Sequence, residues 1–342
     1  MSDTLTVCIC SYLEDGHAAA IAGAPGVEVL YAPELLPVPR YVSDHHGAAR
    51  HLDDAGLQRW REMLAQAEVC FDFDWQDPAG LPARAPRLRW IQATSAGIGG
   101  FMARTGLDAS TIVVTTAAGV HATALTEWVL TGVLHFVKDV PDLQRRQAGH
   151  RWERLTIGAL AGRRAVVVGL GQVGSHVATV LASLGVEVWG AGRPGASYDI
   201  PAQSRLGTTA EVDALLPGCD ILVLCAPLTG ETEGLIGPAQ LALLPERAIL
   251  VNIARGQLVD EEALIGALSR HEIGAAVLDV ARSEPLPPDS PLWDLDNVLI
   301  CPHSASTFAT ENGALVELFL DNLSRFRRGE ALRNLYRPER GY

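Results

Sequence analysis

What the chain lacks narrows its class before any motif is read. No run approaches 18 apolar residues, so no helical membrane span is expected. The N-terminal stretch MSDTLTVCICSYLEDG lacks a basic region leading into an apolar core and a cleavage site. It reads as a first strand, and a cytoplasmic location is expected. Basic residues are the minority: 27 Lys and Arg stand against 40 Asp and Glu, a formal net charge of −13. That balance argues against broad nucleic-acid or anionic-membrane binding, although a local basic pocket is compatible with it. The six cysteines, at 8, 10, 70, 219, 225 and 301, form no C-x-x-C pair and lie mostly in apolar runs. Buried reduced thiols are therefore expected, not a disulfide or metal framework. His45, His46 and His51 cluster without a partnered carboxylate pattern, so solvated loop histidines are expected there and no metal site. Internal repeats and low-complexity tracts are also missing.

What is present fits two domains. The chain has 342 residues, 48% hydrophobic and 20% charged, long for a single core and comfortable for two. In the first third, TVCICSY, VEVLYA, EVCFDFD, LRWIQAT and TIVVTTA read as strands and LQRWREMLAQA as a helix. Such alternation favours a parallel, doubly wound sheet. Residues 122–138, ATALTEWVLTGVLHFVK, carry a long helical pattern broken only by Gly132, and a polar stretch, DVPDLQRRQAGHRWERL, follows. The alternation then restarts with RAVVVGL, VEVWGAG, DILVLCAP, AILVNIA, GAAVLDV and NVLICPH, the six strands a complete dinucleotide-binding domain needs. In the tail, 308–328, Leu315, Leu318, Phe319, Leu323 and Phe326 follow helical spacing and Gly329 stands at a C-terminal cap. This apolar stripe is expected to return to the first domain.

Within AVVVGLGQVGSHVA, the glycines Gly169, Gly171 and Gly174 follow a strand and open a helix. Gly169 permits the tight turn, Gly171 lets backbone approach a pyrophosphate, and Gly174 allows helix and strand to pack closely. The free N–H groups of the first helical turn, at Gln172 and Val173, then face the phosphates. The second strand of such a domain normally ends near an acidic residue that binds the adenosine ribose. Here VEVWGAGRPG ends in Gly192 and Arg193, while Glu187 stands too early in the strand to reach. A missing carboxylate removes repulsion of a 2′-phosphate, and Arg193 offers it a charge-assisted partner. NADP(H) is therefore favoured over NAD(H), which stays possible because no second basic residue follows promptly.

Three later segments each place a polar group just after a strand, where open parallel sheets bind ligands. VNIARGQLVDEEAL supplies Arg255, LDVARSEPLPPDSPLW supplies Glu284, and CPHSAS supplies His303. With Ala-Arg-Gly-x-x-V-D-E, LDV…EPL…SPLW and Pro-His in this order, the sequence closely resembles the D-isomer-specific 2-hydroxyacid dehydrogenases, over nearly the whole chain from Ser95-Ala96-Gly97 onward. Within that family it is most similar to the bacterial glyoxylate/hydroxypyruvate reductases, down to the ending Arg340-Gly341-Tyr342.

The resemblance implies reduction of a 2-keto acid by nicotinamide hydride. Elementary chemistry supports the roles. Arg255 can fork the substrate carboxylate and carbonyl oxygen. His303 can give that oxygen a proton, and Glu284 can keep the imidazole protonated to higher pH. The resemblance further assigns the backbone of Ala96, Gly97 and Ile98 to the substrate carboxylate. It places Asp279 on the nicotinamide side, Ala226, Pro227 and Thr232 along the cofactor cleft, and Ile253, Ala254 and Arg255 beneath the nicotinamide. Trp75 is expected either to set the size of the accepted side chain or simply to pack.

The implied fold is α/β: a Rossmann-type dinucleotide-binding domain, 118–307, inserted into a flavodoxin-like substrate domain, 1–117 and 308–342, with the active site in the cleft between. A homodimer through helix 122–138 is implied. Many relatives carry Asp where Gly99 stands, so a looser loop is expected at Gly99-Gly100. Two other readings stay open. One is a dehydrogenase of another small anion: Glu284 argues against formate, whereas phosphite is compatible with the three residues. The other is a non-catalytic dinucleotide-sensing protein like the C-terminal-binding corepressors.

Overall fold

The computed structural model describes residues 4–201 and 205–340, so the last two residues of the Arg-Gly-Tyr ending lie outside it. The chain divides into two compact units, Met1–Val120 with Thr307–Tyr342, and His121–Ser306.

In the first unit, β1 (Leu5–Ile9), β2 (Val27–Leu30), β3 (Val69–Phe71), β4 (Trp90–Gln92) and β5 (Val113–Thr115) form one sheet in the order β2-β1-β3-β4-β5. Every neighbouring pair is parallel, and this is the flavodoxin-like order. Apolar side chains line both faces of these short strands, as buried parallel strands require. On one face lies helix Asp54–Gln66, whose first turn is capped by the Asp53 carboxylate accepting from Gly56 N–H, and which buries Trp60, Met63 and Leu64. On the other lies the tail helix, Glu311–Arg328, which closes at Gly329 in the left-handed conformation, φ 67°. The tail does return to this unit. Phe319 stacks on Trp90 with centroids 5.2 Å apart and meets Phe71 edge-on at 5.4 Å. A buried polar clamp accompanies these rings. Asn322 Nδ2 and Thr115 Oγ1 both donate to Gln92 Oε1, at 3.0 and 2.9 Å. A helix separated from its sheet by some 200 residues of sequence is thus fixed by both dispersion and satisfied hydrogen bonds.

Among the described residues the second unit holds seven parallel strands where six were expected: β6 (Arg164–Val168), β7 (Glu187–Gly192), β8 (Arg205–Thr208), β9 (Ile221–Leu224), β10 (Ile249–Asn252), β11 (Ala275–Leu278) and β12 (Val298–Ile300). Their order is β12-β11-β10-β9-β6-β7-β8. The overlooked strand is β8, RLGT, a four-residue edge strand none of whose residues is buried. With it in place, β8-β7-β6-β9-β10-β11 is the 3-2-1-4-5-6 Rossmann order, and β12 adds a seventh strand. Helix Ala122–Val137 packs on this sheet, and Gly132 is what lets it: a Cβ there would overlap the Val277 side chain. The polar stretch after it begins with a helix. This helix, Val140–Ala148, has no buried residue, which is why its sequence shows no apolar stripe. Among the described residues, no helix is long and apolar enough to cross a membrane.

Candidate active site

The turn after β6 is shaped for a close-lying anion. Gly169 has φ 90°, and a Cβ on it would run into the backbone of Ala226. A Cβ on Gly174 would run into the carbonyl of Gly169, so helix Gln172–Ser183 can start against the strand only with glycine there. Gly171 differs: nothing lies within 4 Å of where its Cβ would be, and no side chain caps the helix behind it. Exposed Gly171 and Gln172 and half-buried Val173 therefore present a first turn whose N–H groups face open space, a fit for the pyrophosphate of a dinucleotide. The tip of β7 lies alongside, because Gly169 N–H donates to Ala191 O at 2.8 Å.

Three loops at the carboxyl edge of the same sheet carry the candidate reactive side chains. Arg255 follows β10. Its loop is set by Asn252, 1% exposed, whose Oδ1 accepts from Ala254 N–H at 3.0 Å and whose Nδ2 donates to Arg255 O at 2.9 Å. Gly256 lies so close to Ala281 that a Cβ would overlap the Ala281 carbonyl. This contact, with Gln257 Nε2 donating to Arg282 O at 3.0 Å, ties the arginine loop to the loop that carries Glu284. Burial pulls the Arg255 pKa below its ordinary value against the opposing charges of Glu284 and Asp279, but a guanidinium stays charged.

Glu284 and His303 meet across 2.7 Å, from Oε2 to Nδ1. An Nδ1–H donated to the carboxylate leaves Nε2 as the working nitrogen. This hydrogen bond is the main reason the His303 pKa rises above its ordinary value; burial opposes it, and the charges of Glu284 and Asp279 reinforce it. For Glu284, burial pushes the pKa up, but the hydrogen bond and charge of His303 prevail, and the carboxyl is held below its usual value. The two side chains are 45% and 39% exposed, so water screens the pair and it contributes little to stability. Its value is orientation. His303 itself has φ 51°, an uncommon state for a side chain-bearing residue. Asp279 holds it there: the backbone O of Asp279 accepts from His303 N–H at 2.8 Å, and Oδ1 accepts from Ser304 and Ala305 N–H at 2.9 and 3.0 Å.

The other expected site residues divide as follows. Ala226, Ile253 and Ala254 are buried at strand ends of the second unit, and Pro227 is exposed beside them. The Thr232 hydroxyl is engaged locally, donating to Pro227 O at 2.6 Å and accepting from Thr229 N–H at 2.8 Å, so it shapes the turn after β9. Arg193 is exposed at the tip of β7. In the first unit, Ala96, Gly97 and Ile98 follow β4, and half-buried Trp75 leans on the core cluster around Trp60. Gly99-Gly100, expected in a looser loop, instead open helix Gly99–Thr105. His45 is not a solvated loop residue either. It is half-buried with Nδ1 3.1 Å from the hydroxyl of Ser11, itself 1% exposed, while His46 and His51 are exposed. Among the described residues no three metal-ligating groups gather. Sequence reasoning missed Asn252 as the residue that shapes the Arg255 loop, and the signal available was an Asn ending an otherwise wholly apolar strand.

An open parallel sheet that pairs a phosphate-ready glycine turn with ionisable groups on neighbouring loops is the framework of nicotinamide dinucleotide-dependent oxidoreductases. The model of the D-isomer specific 2-hydroxyacid dehydrogenase NAD binding domain matches residues 130–305. A glyoxylate reductase of Korarchaeum cryptofilum is 31% identical over 266 residues, 75% of this chain and 78% of that one. Glyoxylate/hydroxypyruvate reductase B of Klebsiella pneumoniae is 31% identical over 301 residues, 85% of this chain and 91% of that one. Among solved structures, a D-isomer specific 2-hydroxyacid dehydrogenase of Xanthobacter autotrophicus in complex with NADPH and MES superposes with a TM-score of 0.78 at 31% identity, covering 99% of this chain and 100% of that one. The chain belongs to the D-isomer specific 2-hydroxyacid dehydrogenase family, and it is an oxidoreductase that uses a nicotinamide dinucleotide.

Proposed function

We propose that the enzyme reduces a small 2-keto acid, of the glyoxylate or hydroxypyruvate kind, to the D-2-hydroxy acid, and that it prefers NADPH to NADH. The observation that carries this reading is the 2.7 Å Glu284–His303 pair, on the same sheet edge as Arg255. When bound, the dinucleotide supplies a hydride. What the chain must add is a grip on the acid and a proton. Arg255 is suited to the first, since a guanidinium can take the carboxylate and carbonyl oxygens together and stabilise charge developing on the latter. His303 is suited to the second: Glu284 keeps it charged and turns Nε2 outward to the same oxygen. Asp279 would fix the loop that carries this imidazole. The backbone N–H groups of Ala96, Gly97 and Ile98 are the groups assigned to the substrate carboxylate, and Trp75 to its side chain. Gly169, Gly171, Gln172, Val173 and Gly174 would hold the pyrophosphate, and Arg193 the 2′-phosphate. Relatives named for glyoxylate and hydroxypyruvate reduction, and a neighbour bound to NADPH, support the same assignment. A homodimer acting in the cytoplasm completes the proposal.

The test is a paired rate measurement. Purified enzyme receives NADPH or NADH at matched concentration with glyoxylate, hydroxypyruvate or a bulky aromatic keto acid. Faster oxidation of NADPH with a small acid is expected. Faster oxidation of NADH would overturn the cofactor preference, and no turnover with any pair would overturn the reductase.

A further inference from the structure

The preference for NADPH leaves a chemical gap, because one exposed arginine is a thin site for a phosphate dianion. The tip of β7 supplies a second group. Arg193 stands about twenty residues beyond the glycine turn, the place where an NAD-binding domain puts its ribose-binding acid. The residue before it, Gly192, is buried, and a Cβ there would lie 2.5 to 2.6 Å from Cε2, Cζ and Oη of Tyr198. Glycine at 192 is thus what allows the phenol ring to lie on the strand tip. The ring is anchored by its oxygen, which accepts from Arg193 N–H at 2.6 Å. Thr209 Oγ1, donating to Gly192 O at 3.2 Å, holds the same tip from the side of β8.

Building on the NADPH reading, we propose that Tyr198 is a cofactor-selecting residue, whose phenolic O–H joins Arg193 in binding the 2′-phosphate of NADPH. With a lone pair committed to Arg193 N–H, the phenol still has a proton to donate. Among the described residues that proton meets no acceptor. A guanidinium and a phenolic O–H on one strand tip offer donors and no carboxylate. They suit a phosphomonoester, which brings acceptor oxygens and close to two negative charges. They suit a ribose hydroxyl less, because an acid at this position earns its selectivity for NAD by accepting.

The test uses ligands without a nicotinamide, so that binding is read apart from turnover. Dissociation constants of 2′,5′-ADP and 5′-AMP are measured by calorimetry for the wild-type enzyme, Tyr198→Phe and Arg193→Ala. Tyr198→Phe keeps an aromatic ring to fill the space over Gly192 and removes the hydroxyl, together with the bond it accepts from Arg193 N–H. It is expected to weaken 2′,5′-ADP about tenfold, as for one hydrogen bond to a charged group, and to leave 5′-AMP within about twofold. Arg193→Ala is expected to weaken 2′,5′-ADP by more. If Tyr198→Phe binds 2′,5′-ADP as wild type does, or loses both ligands equally, the hydroxyl does not select and the inference fails alone. If the wild-type enzyme itself binds 5′-AMP as tightly as 2′,5′-ADP, the NADPH preference fails first and Tyr198 falls with it.

Discussion

Where β1, β3 and β4 end, the first unit offers Ser11 against His45, the Trp75 ring and the backbone of Ala96–Ile98. Where β10, β11 and β12 end, the second offers Arg255, Asp279, and His303 with Glu284 at 2.7 Å. Both edges belong to parallel sheets and lie at the carboxyl ends of the strands, where open parallel sheets bind ligands. They differ in how their carboxylates are used. In the first unit, buried Asp74 accepts from Trp60 Nε1 at 3.0 Å and Arg84 Nη2 at 2.6 Å, holding a loop in shape. In the second, Glu284 bonds an imidazole and shifts its proton affinity. The first edge is therefore assigned fit and the second chemistry, and the expectations below are ordered by how hard they press on that division.

The sharpest test removes the proposed proton donor. His303→Asn is expected to lower kcat/KM for keto-acid reduction by about 10²–10⁴-fold, the usual worth of a positioned general acid. Binding of 2′,5′-ADP should be unchanged, because no part of the glycine turn is touched. A loss below tenfold in single-turnover measurements would take the chemistry away from this edge.

The second test acts on the first unit's core. Phe319 is fully buried between Trp90 and Phe71, and Phe319→Ala is expected to cost about 3–5 kcal/mol of unfolding free energy. Denaturant titration reads this directly. The fraction that remains folded should keep the pH dependence of wild type. A shifted pH profile would mean that the tail helix feeds into the proton chemistry and that the two regions are not separable.

The third concerns pH alone. On the proposed mechanism, reduction needs His303 protonated and the reverse oxidation needs it neutral. Its folded-state pKa is raised, so the reduction rate should be level below that pKa and fall as pH rises through it. Glu284→Gln removes the largest cause of the rise, so the alkaline limb should move to lower pH. The acidic limb of hydroxy-acid oxidation should move the same way. The stability the pair contributes follows the same sign: it is present below the unfolded histidine pKa and lost as pH rises through the folded one. An unmoved limb in Glu284→Gln would assign the titration to another group.

These groups were legible in the sequence to very different degrees. The five strands of the first sheet, the tail stripe from Leu315 to Phe326 and the glycine turn announce themselves, because burial writes a periodic apolar pattern. Arg255, Glu284 and His303 are legible as polar residues following such strands. β8 is not, because an exposed four-residue edge strand carries no pattern. Helix Val140–Ala148 escapes for the same reason, burying nothing. The remaining omissions are tertiary. His45 reads as a loop residue until the fold brings Ser11, thirty-four positions earlier, to 3.1 Å. Tyr198 means nothing beside Gly192 until the chain after β7 folds back over the strand tip. Asp279 could be placed near the nicotinamide by resemblance, yet its bonds to Ser304 and Ala305 N–H, which fix the histidine loop, depend on β11 and β12 being neighbours.

The smallest expected effect tests the first edge for the role of fit. Trp75 packs by its ring on the Trp60 cluster, and its indole N–H is buried with no hydrogen-bond partner among the described residues. If the ring limits the accepted side chain, Trp75→Ala should raise kcat/KM for a bulky aromatic keto acid relative to glyoxylate, by about tenfold or more, since even one methylene in an apolar pocket discriminates to that extent. The glyoxylate rate should fall only a few-fold, because His303 and Arg255 are untouched. An unchanged ranking, with lower stability alone, would make Trp75 a core residue. Selection by fit would then rest on the Ala96–Ile98 backbone, which offers no side chain bulk at Gly97, and the enzyme should accept keto acids with little regard to their size.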